Sequence, residues 1–485
     1  MTRRIRSWRT AGAALTALAL AGCAPLPPLG EQYQQKTAED FATAQSLAAR
    51  EGNWPADDWW RGYGDAQLDA LVAEALKDSP DLAIAQARVA RARAVAEVAG
   101  APLWPQVNAG AAGGTQRNSY NYLTPDAAVL PGWNAYGQAA LNTTWEIDFW
   151  GKNRAALAAA TSELAARQAE QAQARLVLTT AIAASYADLA RLFSLQEIQE
   201  RAIRVRSNTN RLFSERYTYG LETRGGVMES EAKLALAETD LLILQEQIAL
   251  QRNRLAALVG AGPDRGLIIV RPSVRVDQGL ALPARIGADL LGRRPDVFAA
   301  RLQAQAMASR IDQKQADFYP SINLIALIGV QSIGLSTIAQ GGSTYGTVGP
   351  ALTLPIFTGG RLQGELKGAR ATYEEAVANY NRTLTLAFQD VADAATSVRA
   401  LAAQQQKAQD AVRAARESFK VATERYEGGL ATYLDVLVTE DTMLASVRIL
   451  TELQARNFGL NVALVRALGG GYRASTNELT EKAGT

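Results

Sequence analysis

The charged and turn-forming residues that could act chemically are grouped in two similar stretches, RYTYGLET at 216–223 and RYEGGLAT at 425–432. Five of their eight positions are identical, and an acid, Asp435, follows the second stretch. The 485 residues contain no histidine and one cysteine, so the commonest general base is missing and an internal disulfide or thiolate metal cluster cannot form. Carboxylates remain as acids and bases, but this inventory favours a protein that is not an enzyme.

Both stretches have the pattern of a turn between two helices. Each contains a basic residue where a cation complements the end of a helix dipole, a glycine suited to the left-handed helix end, and a threonine suited to the next N-cap. These residues are Arg216, Gly220 and Thr223 in the first stretch, and Arg425, Gly429 and Thr432 in the second. In the second stretch, Thr432 and Asp435 also have the spacing of a capping box.

The N-terminus explains the single cysteine. MTRRIRSWR is a positively charged region, AGAALTALAL is a short apolar region, and LAGC ends at Cys23, which together predict a secretory signal peptide over 1–22. Small residues before cysteine resemble the bacterial lipobox, which predicts acylation of Cys23, for example by palmitate; an ordinary signal with a chance cysteine is the alternative. Ala24, rather than aspartate, resembles an outer-membrane sorting signal.

Net charge and hydropathy narrow the class of protein further. The net charge of +2 argues against a nucleic-acid partner, which would need a basic face. After Cys23 no apolar run reaches the roughly 20 residues of a membrane helix, so a membrane crossing would require a closed β-barrel.

Alternating residues predict the strands of such a barrel. Residues 133–149 alternate between apolar side chains at odd positions and polar side chains at even positions, which is the period of a strand with two different faces. Residues 321–330 and 348–356 alternate in the same way, although Pro350 and Pro355 weaken the last strand.

The chain reads as a duplication. SPDL at 79–82 returns as RPDV at 294–297, WP at 104–105 returns as YP at 319–320, and the two turn stretches lie 209 residues apart. Repeats at a steady offset indicate a repeated architecture. Each copy predicts a helix (81–100 or 296–317), two strands, a long proline-free helix (152–219 or 361–428) and a further helix. The changing offset predicts that the first copy has a loop about seven residues longer, within 115–132.

These boundaries predict six parts. They are a signal peptide at 1–22, a lipidated arm that begins an equatorial region at 23–78, repeat 1 at 79–260, an inter-repeat equatorial segment at 261–293, repeat 2 at 294–470, and a C-terminal tail at 471–485.

The combination of motifs resembles the TolC-type outer-membrane efflux channel family, in its lipoprotein branch (the OprM or NodT type). The motifs that carry this resemblance are LAGC at 20–23, DDWWRGYGDAQLDALVAEALKDSPDL at 57–82, LLGRRPDVFAAR at 290–301, ADFYPSINL at 316–324 and RYEGGLATYLDVL at 425–437. Within these motifs we expect Trp59, Trp60 and 293–296 to be structural.

The resemblance implies a mixed α/β membrane fold of two internal repeats. Three chains, with four strands each, would form a 12-stranded outer-membrane β-barrel that continues into a long periplasmic α-helical barrel. This homotrimer would be the exit channel of a tripartite efflux pump for small molecules and drugs, gated at the periplasmic helix tips. Its partners would be a periplasmic adaptor protein and an inner-membrane pump of the RND or MFS type, and it would need no cofactor beyond the lipid on Cys23.

The resemblance also implies roles for the two tips. Asp435 would line the lumen as a ring of three acids, although Val438 stands where the family often has a second acid; a helix cap is the alternative reading. Gate contacts are expected from Glu222, Arg224, Arg425, Tyr426 and Glu427, whose alternative is a solvated polar turn. Contacts with the adaptor are expected from Tyr217, Gly220, Leu221, Gly429 and Leu430.

Two other functions are compatible with the sequence. The same fold could serve as the outer-membrane channel of a protein secretion system. A lipid-anchored periplasmic scaffold without a pore is a further alternative, which the alternation of 133–149 disfavours.

Overall fold

The computed structural model describes residues 27–28, 31, 33–43, 45–47, 53–119, 129–275, 290 and 292–474. The predicted signal peptide, Cys23, part of the longer loop, part of the inter-repeat segment and most of the C-terminal tail lie outside the described residues.

The described chain alternates long helices with paired strands. Its elements are α1 (Ala66–Asp78), α2 (Pro80–Gly100), β1 (Gln106–Gln116), β2 (Asn134–Ile147), α3 (Lys152–Thr218), α4 (Arg224–Leu258), α5 (Asp264–Leu267), α6 (Pro295–Ala316), β3 (Ser321–Ile333), β4 (Thr344–Thr353), α7 (Arg361–Glu427) and α8 (Tyr433–Ala467). The predicted helices and the alternating strands therefore begin and end within a few residues of their expected positions.

The order helix, strand, strand, long helix, helix occurs twice. The long helices α3 and α7 both contain 67 residues, and α4 and α8 both contain 35. The connector between β1 and β2 is residues 117–133, seventeen residues, and that between β3 and β4 is residues 334–343, ten residues. The first connector is therefore seven residues longer, as the changing offset predicts.

Contacts divide the chain into two compact units, each built from segments of both copies. The first unit is 1–35, 89–167 and 300–380, and it contains the sheet; the second is 36–88, 168–299 and 381–485. Within α3, an 18-residue window is apolar enough to cross a bilayer, but 61% of this window is buried inside the protein, as expected for a packed helix.

The core of the second unit is built around the WW motif and α1. Trp59 and Trp60 are buried and pack with Leu68 and Leu71 of α1 and with Tyr186 of α3, so the tryptophans are structural, as predicted. Burying these apolar side chains contributes about 1.5–3 kcal/mol each.

Asp65 organises the polar side of this core. Its carboxylate caps α1 by accepting hydrogen bonds from the backbone N–H groups of Gln67 and Leu68, and it accepts others from the Tyr186 hydroxyl at 2.9 Å and the Ser273 N–H at 2.7 Å. Burial opposes its ionisation, but these hydrogen bonds outweigh burial and lower the pKa of Asp65.

Arg294 of the RRPDV motif is also a structural residue. It is 8% exposed and forms ion pairs with Asp296 at 2.6 Å and Asp390 at 2.9 Å. A third contact, at 3.3 Å, goes to the carbonyl of Ala467 at the end of α8. Beside it, a Cβ on Gly469 would lie 2.0 Å from the Arg293 carbonyl oxygen, so only glycine fits at this close approach.

Candidate functional site

The four strands form one antiparallel sheet in the order β1-β2-β3-β4. Its register places Leu141 opposite Ala109 and Ile328, and Ala326 opposite Thr143 and Val348. Residues that pair directly across strands share a face of the sheet. The register therefore collects the apolar positions of all four strands on one continuous face.

This apolar face is open in the single chain. Its large side chains are exposed by 62% at Val107, 49% at Leu141, 62% at Ile328, 74% at Val348 and 64% at Leu352. An apolar surface this extended needs a non-aqueous partner, and alternating strands with one apolar face are the signature of a membrane barrel.

The opposite face is polar or lined by small residues. It carries Asn108, Gln138, Asn142, Glu146 and Thr347 among others. Ile325, Leu327 and Ile333 also lie on this face and are exceptions to the alternation. The face can therefore contact water over most of its area.

Aromatic residues border the sheet where β1 and β3 begin and β2 and β4 end. Trp104, Phe149, Trp150 and Phe357 are between 50% and 90% exposed. The Trp150 ring stacks on Tyr319 at 4.7 Å between centroids, and its indole N–H donates to the Pro320 carbonyl at 2.8 Å. Aromatic girdles of this kind occupy the membrane–water interface of outer-membrane barrels.

The two helix turns have the same backbone. Gly220 and Gly429 adopt left-handed φ angles of 71° and 74°. In the first turn the N–H of Leu221 bonds the carbonyl of Arg216 at 2.8 Å, and in the second the N–H of Leu430 bonds that of Arg425, also at 2.8 Å. This is the hydrogen bond of a Schellman motif, so both glycines have the predicted role.

Threonine caps the helix that follows each turn. The Thr223 hydroxyl accepts from the Gly226 N–H at 3.1 Å, and Thr432 caps α8 through the N–H of Asp435. Asp435 completes a capping box, because its carboxylate accepts from the Thr432 N–H at 2.8 Å and hydroxyl at 2.7 Å. These bonds lower the pKa of Asp435, so the carboxylate is ionised at neutral pH.

Direct contacts join the two tips. The Tyr426 hydroxyl donates a hydrogen bond to the carboxylate of Glu222. The Arg216 guanidinium lies 4.5 Å from the centroid of the Tyr426 ring, within the range of a cation–π contact, and donates to the carbonyl of Glu427 at 3.4 Å. Burial raises the pKa of Tyr426, and the bond to Glu222 raises it further, so the hydroxyl remains a donor.

An apolar cluster lies behind these contacts. Tyr426 is 3% exposed and packs on Phe213, Val436 and Leu437, which are fully buried or nearly so. The tyrosine therefore reaches Glu222 from a fixed position.

The other predicted tip residues have more local roles. Arg425 donates to the carbonyl of Leu430 within its own turn, at 3.3 Å, and Glu427 contributes its backbone carbonyl to the tip contact. Arg224 begins α4. Of the side chains predicted to contact the adaptor, those of Tyr217, Leu221 and Leu430 are 48%, 64% and 73% exposed.

Sequence reasoning missed a second group of charged residues near the tips. Glu440 and Asp441 of α8 contact Arg206 and Thr209 of α3, and Asp441 also contacts Lys233 of α4. A signal was present, because Glu440 follows the buried pair 436–437 at helical spacing and so lies on the packed face of α8. Within the described residues, no group of histidine, cysteine or acidic side chains has the arrangement of a metal site.

Comparison with known proteins identifies the architecture. The model of the family described as "Outer membrane efflux protein" matches residues 71–261 and 287–470. The multidrug resistance outer membrane protein MdtP of Escherichia coli K12 is 30% identical over 462 residues, which cover 94% of each chain. The fusaric acid resistance protein FusA of Burkholderia cepacia is 35% identical over 73% of this chain and 68% of its own.

A solved structure agrees in fold. The outer membrane protein VceC of Vibrio cholerae has 47% identity and a TM-score of 0.83, and the match covers 87% of this chain and 100% of VceC. The structure of the outer-membrane channel OprN gives a TM-score of 0.81 at 23% identity.

Proposed function

The chain belongs to the outer membrane efflux protein family, and we propose that three copies form the exit channel of a tripartite pump that exports small molecules through the outer membrane. The family is one of transport proteins rather than enzymes. Its members act as homotrimers together with a periplasmic adaptor and an inner-membrane pump. An exported drug is the best-supported cargo, since relatives are named for multidrug and fusaric acid resistance.

The observation that carries this proposal is the two-faced sheet. Among the described strands, β1 pairs only with β2, and β4 pairs only with β3. Unpaired edges are not tolerated in lipid, because their backbone groups have no water to bond. Three copies would pair edge to edge as about twelve strands, a number that leaves an open lumen rather than a filled core.

The faces then have opposite surroundings. The apolar face with Leu141 would contact lipid, and the polar face with Gln138 would line the water-filled lumen. The aromatic residues at the strand ends would lie at one membrane interface.

Cysteine labelling tests this arrangement. Gln138→Cys should react with a membrane-impermeant thiol reagent in the folded channel, whereas Leu141→Cys, three residues along the same strand, should be shielded by lipid. The comparison is clean because the only native cysteine is Cys23. Equal labelling of both positions, or a monomer in sedimentation, would refute the barrel.

The helix tips would form the periplasmic gate. The Tyr426–Glu222 hydrogen bond and the Arg216 contacts hold the two tips together within one chain, so they favour the closed mouth. Asp435 from three copies would form a negative ring at the constriction, in addition to capping α8.

The exposed residues Tyr217, Leu221 and Leu430 would contact the adaptor, and the pump would be of the RND or MFS type.

Acylation of Cys23 would anchor the arm at 23–78 to the outer membrane. The support is the lipobox-like LAGC sequence. Mass spectrometry of the mature N-terminus tests it: an N-terminus at another residue, without lipid, would contradict the anchor. Two acyl chains or more give stable anchoring, but edge pairing does not depend on them, so Cys23→Ser should retain much of its efflux activity.

A further inference from the structure

A partly buried cluster of charges joins three helices close to the tips. Arg206 and Thr209 belong to α3, Lys233 belongs to α4, and Glu440 and Asp441 belong to α8. Glu440 lies five residues beyond Asp435, a rise of about 7.5 Å along the helix. The cluster is therefore separate from the tip contacts, which involve the turns themselves.

Each of the two carboxylates contacts α3, and each lies beside at least one cation. Thr209 donates its hydroxyl to Glu440 at 2.6 Å, and Arg206 lies 3.5 Å from the other oxygen of Glu440. Asp441 accepts from Arg206 at 2.9 Å and from Lys233 at 2.7 Å. Two cations and two carboxylates thus balance one another across three helices.

Burial makes these contacts depend on one another. Glu440 is 1% exposed, the side chains of Arg206 and Lys233 are 17% and 22% exposed, and that of Asp441 is 46% exposed. A buried charge is costly unless its partner is in place. Loss of one partner therefore weakens the contacts that remain, most of all at Glu440, which is the most deeply buried of the four charges.

The α3–α4 hairpin has its own fastening, which does not involve α8. Asn210 of α3 donates to the Ser230 hydroxyl of α4 at 3.1 Å, and Ser230 is 2% exposed. Loss of the charge cluster would therefore weaken the attachment of α8, which the apolar cluster with Phe213 still holds, while α3 and α4 remain joined.

We propose that Arg206, Lys233, Glu440 and Asp441 form a second latch of the closed channel, which must break when α8 moves away from the α3–α4 hairpin. This inference rests on the proposed channel function and adds positioning residues to it. Opening the mouth requires the two tips of a chain to part, and α8 begins at the second tip. Any contact that holds α8 to α3 and α4 therefore opposes opening, and this one opposes it from inside the helix bundle.

Recordings from purified trimers in planar bilayers test the latch. Asp441→Asn loses both of its ion pairs and should raise the open probability by about fivefold or more, the lower end of typical coupling between sites. Lys233→Met loses one pair and should have a smaller effect. The double variant should match Asp441→Asn, because both substitutions break the same contact.

A matched control tests whether the loss of any negative charge on α8 would change gating. Glu452 is on the same helix, and among the residues that the structure describes it pairs only with Arg448, four residues away in α8. Glu452→Gln should therefore gate like the native protein. Native gating in Asp441→Asn, or an equal rise in Glu452→Gln, would overturn the proposal.

A reversible cross-link tests the same contact in the opposite direction. Lys233→Cys/Asp441→Cys, joined by a short methanethiosulfonate cross-linker, should keep the channel closed and reopen with a reductant, while each single cysteine variant treated in the same way should still gate. A cross-linked channel that opens freely would overturn the latch. Failure of the channel function itself would be distinguishable, because neither the native protein nor any of the variants would then show conductance.

Discussion

The two tips have the same backbone conformation, but their acids lie on opposite sides of the capping threonine in the sequence. In the second tip Asp435 lies three residues after Thr432 and caps its own helix. In the first tip the corresponding position is Gly226, and the acid is Glu222, immediately before Thr223. Glu222 accepts from the Thr223 N–H at 2.6 Å and also from Tyr426 of the other tip. A repeated turn can therefore keep its fold while its carboxylate changes from a cap into a contact between tips.

The largest change in the open probability of the channel should follow from removing the contact between Glu222 and Tyr426. Glu222→Gln with Tyr426→Phe eliminates a hydrogen bond to a charged group, which is worth about 1.5–3 kcal/mol, and should raise the open probability of the channel by about tenfold or more. Single-channel recording measures it. Glu215→Gln removes an exposed acid from α3 near the same tip and is the control; an equal response there would assign the effect to charge and not to the hydrogen bond.

Asp435 distinguishes a ring from a cap. Asp435→Asn keeps an acceptor for the Thr432 N–H but removes the charge, whereas Asp435→Ala removes both. If three acids line the constriction, both variants should lose cation selectivity by a similar amount, and only the alanine variant should also destabilise the start of α8. Reversal potentials in a salt gradient measure selectivity. Native selectivity in the asparagine variant would leave Asp435 as a cap alone.

A smaller change in gating is expected from substitution of Gly226 by alanine. A Cβ on this residue would lie 2.9 Å from the Glu222 carboxylate, whereas one on Gly225 would lie 3.7 Å from its nearest neighbour, the Thr223 hydroxyl. Both alanine substitutions should stabilise α4 by up to about 1 kcal/mol. Only Gly226→Ala should also displace Glu222 and raise the open probability. Similar gating in the two variants would show that the position of Glu222 does not depend on this glycine.

The smallest effect is expected from a change of pH. Two acids of α8, Asp435 and Glu440, have pKa values shifted in opposite directions. Hydrogen bonds lower the pKa of Asp435, so its contribution to stability is present above the ordinary value of 3.8 and is lost as the pH falls through the lower folded value. Burial raises the pKa of Glu440 above 4.5, against the opposing effects of Thr209 and Arg206. Its ionisation therefore costs stability as the pH rises above 4.5. Thermal unfolding should therefore show that the native protein gains stability relative to Glu440→Gln as the pH falls towards 4.5 from above; the same pH profile in both proteins would contradict the assignment.

Helix ends and turns were predictable because their determinants are local. Glycine at a left-handed position and threonine at an N-cap specify a turn wherever they occur, and both tips have the predicted geometry. The alternation of β2 likewise specified its two faces. The contact partners were less predictable: Arg216 was expected only as a cation near a helix end, and its position over the Tyr426 ring depends on how two distant helices pack.

Two features were beyond local reasoning for physical reasons. β1 has the sequence QVNAGAAGGTQ, whose glycines and alanines have low strand propensity, so its structure depends on pairing with β2. The latch residues Glu440 and Asp441 look like an ordinary solvated pair, and only the packed face around Val436 and Leu437 indicates that one of them is buried.

The equal lengths of α3 and α7 restrict how this chain can vary. An α-helix turns by about 100° per residue, so one residue inserted into α3 alone would rotate Glu222 away from Tyr426 and advance the first tip by about 1.5 Å. The same insertion in both helices would leave the tips in phase. Insertions and deletions within α3 and α7 should therefore be tolerated only when both helices change by the same number of residues.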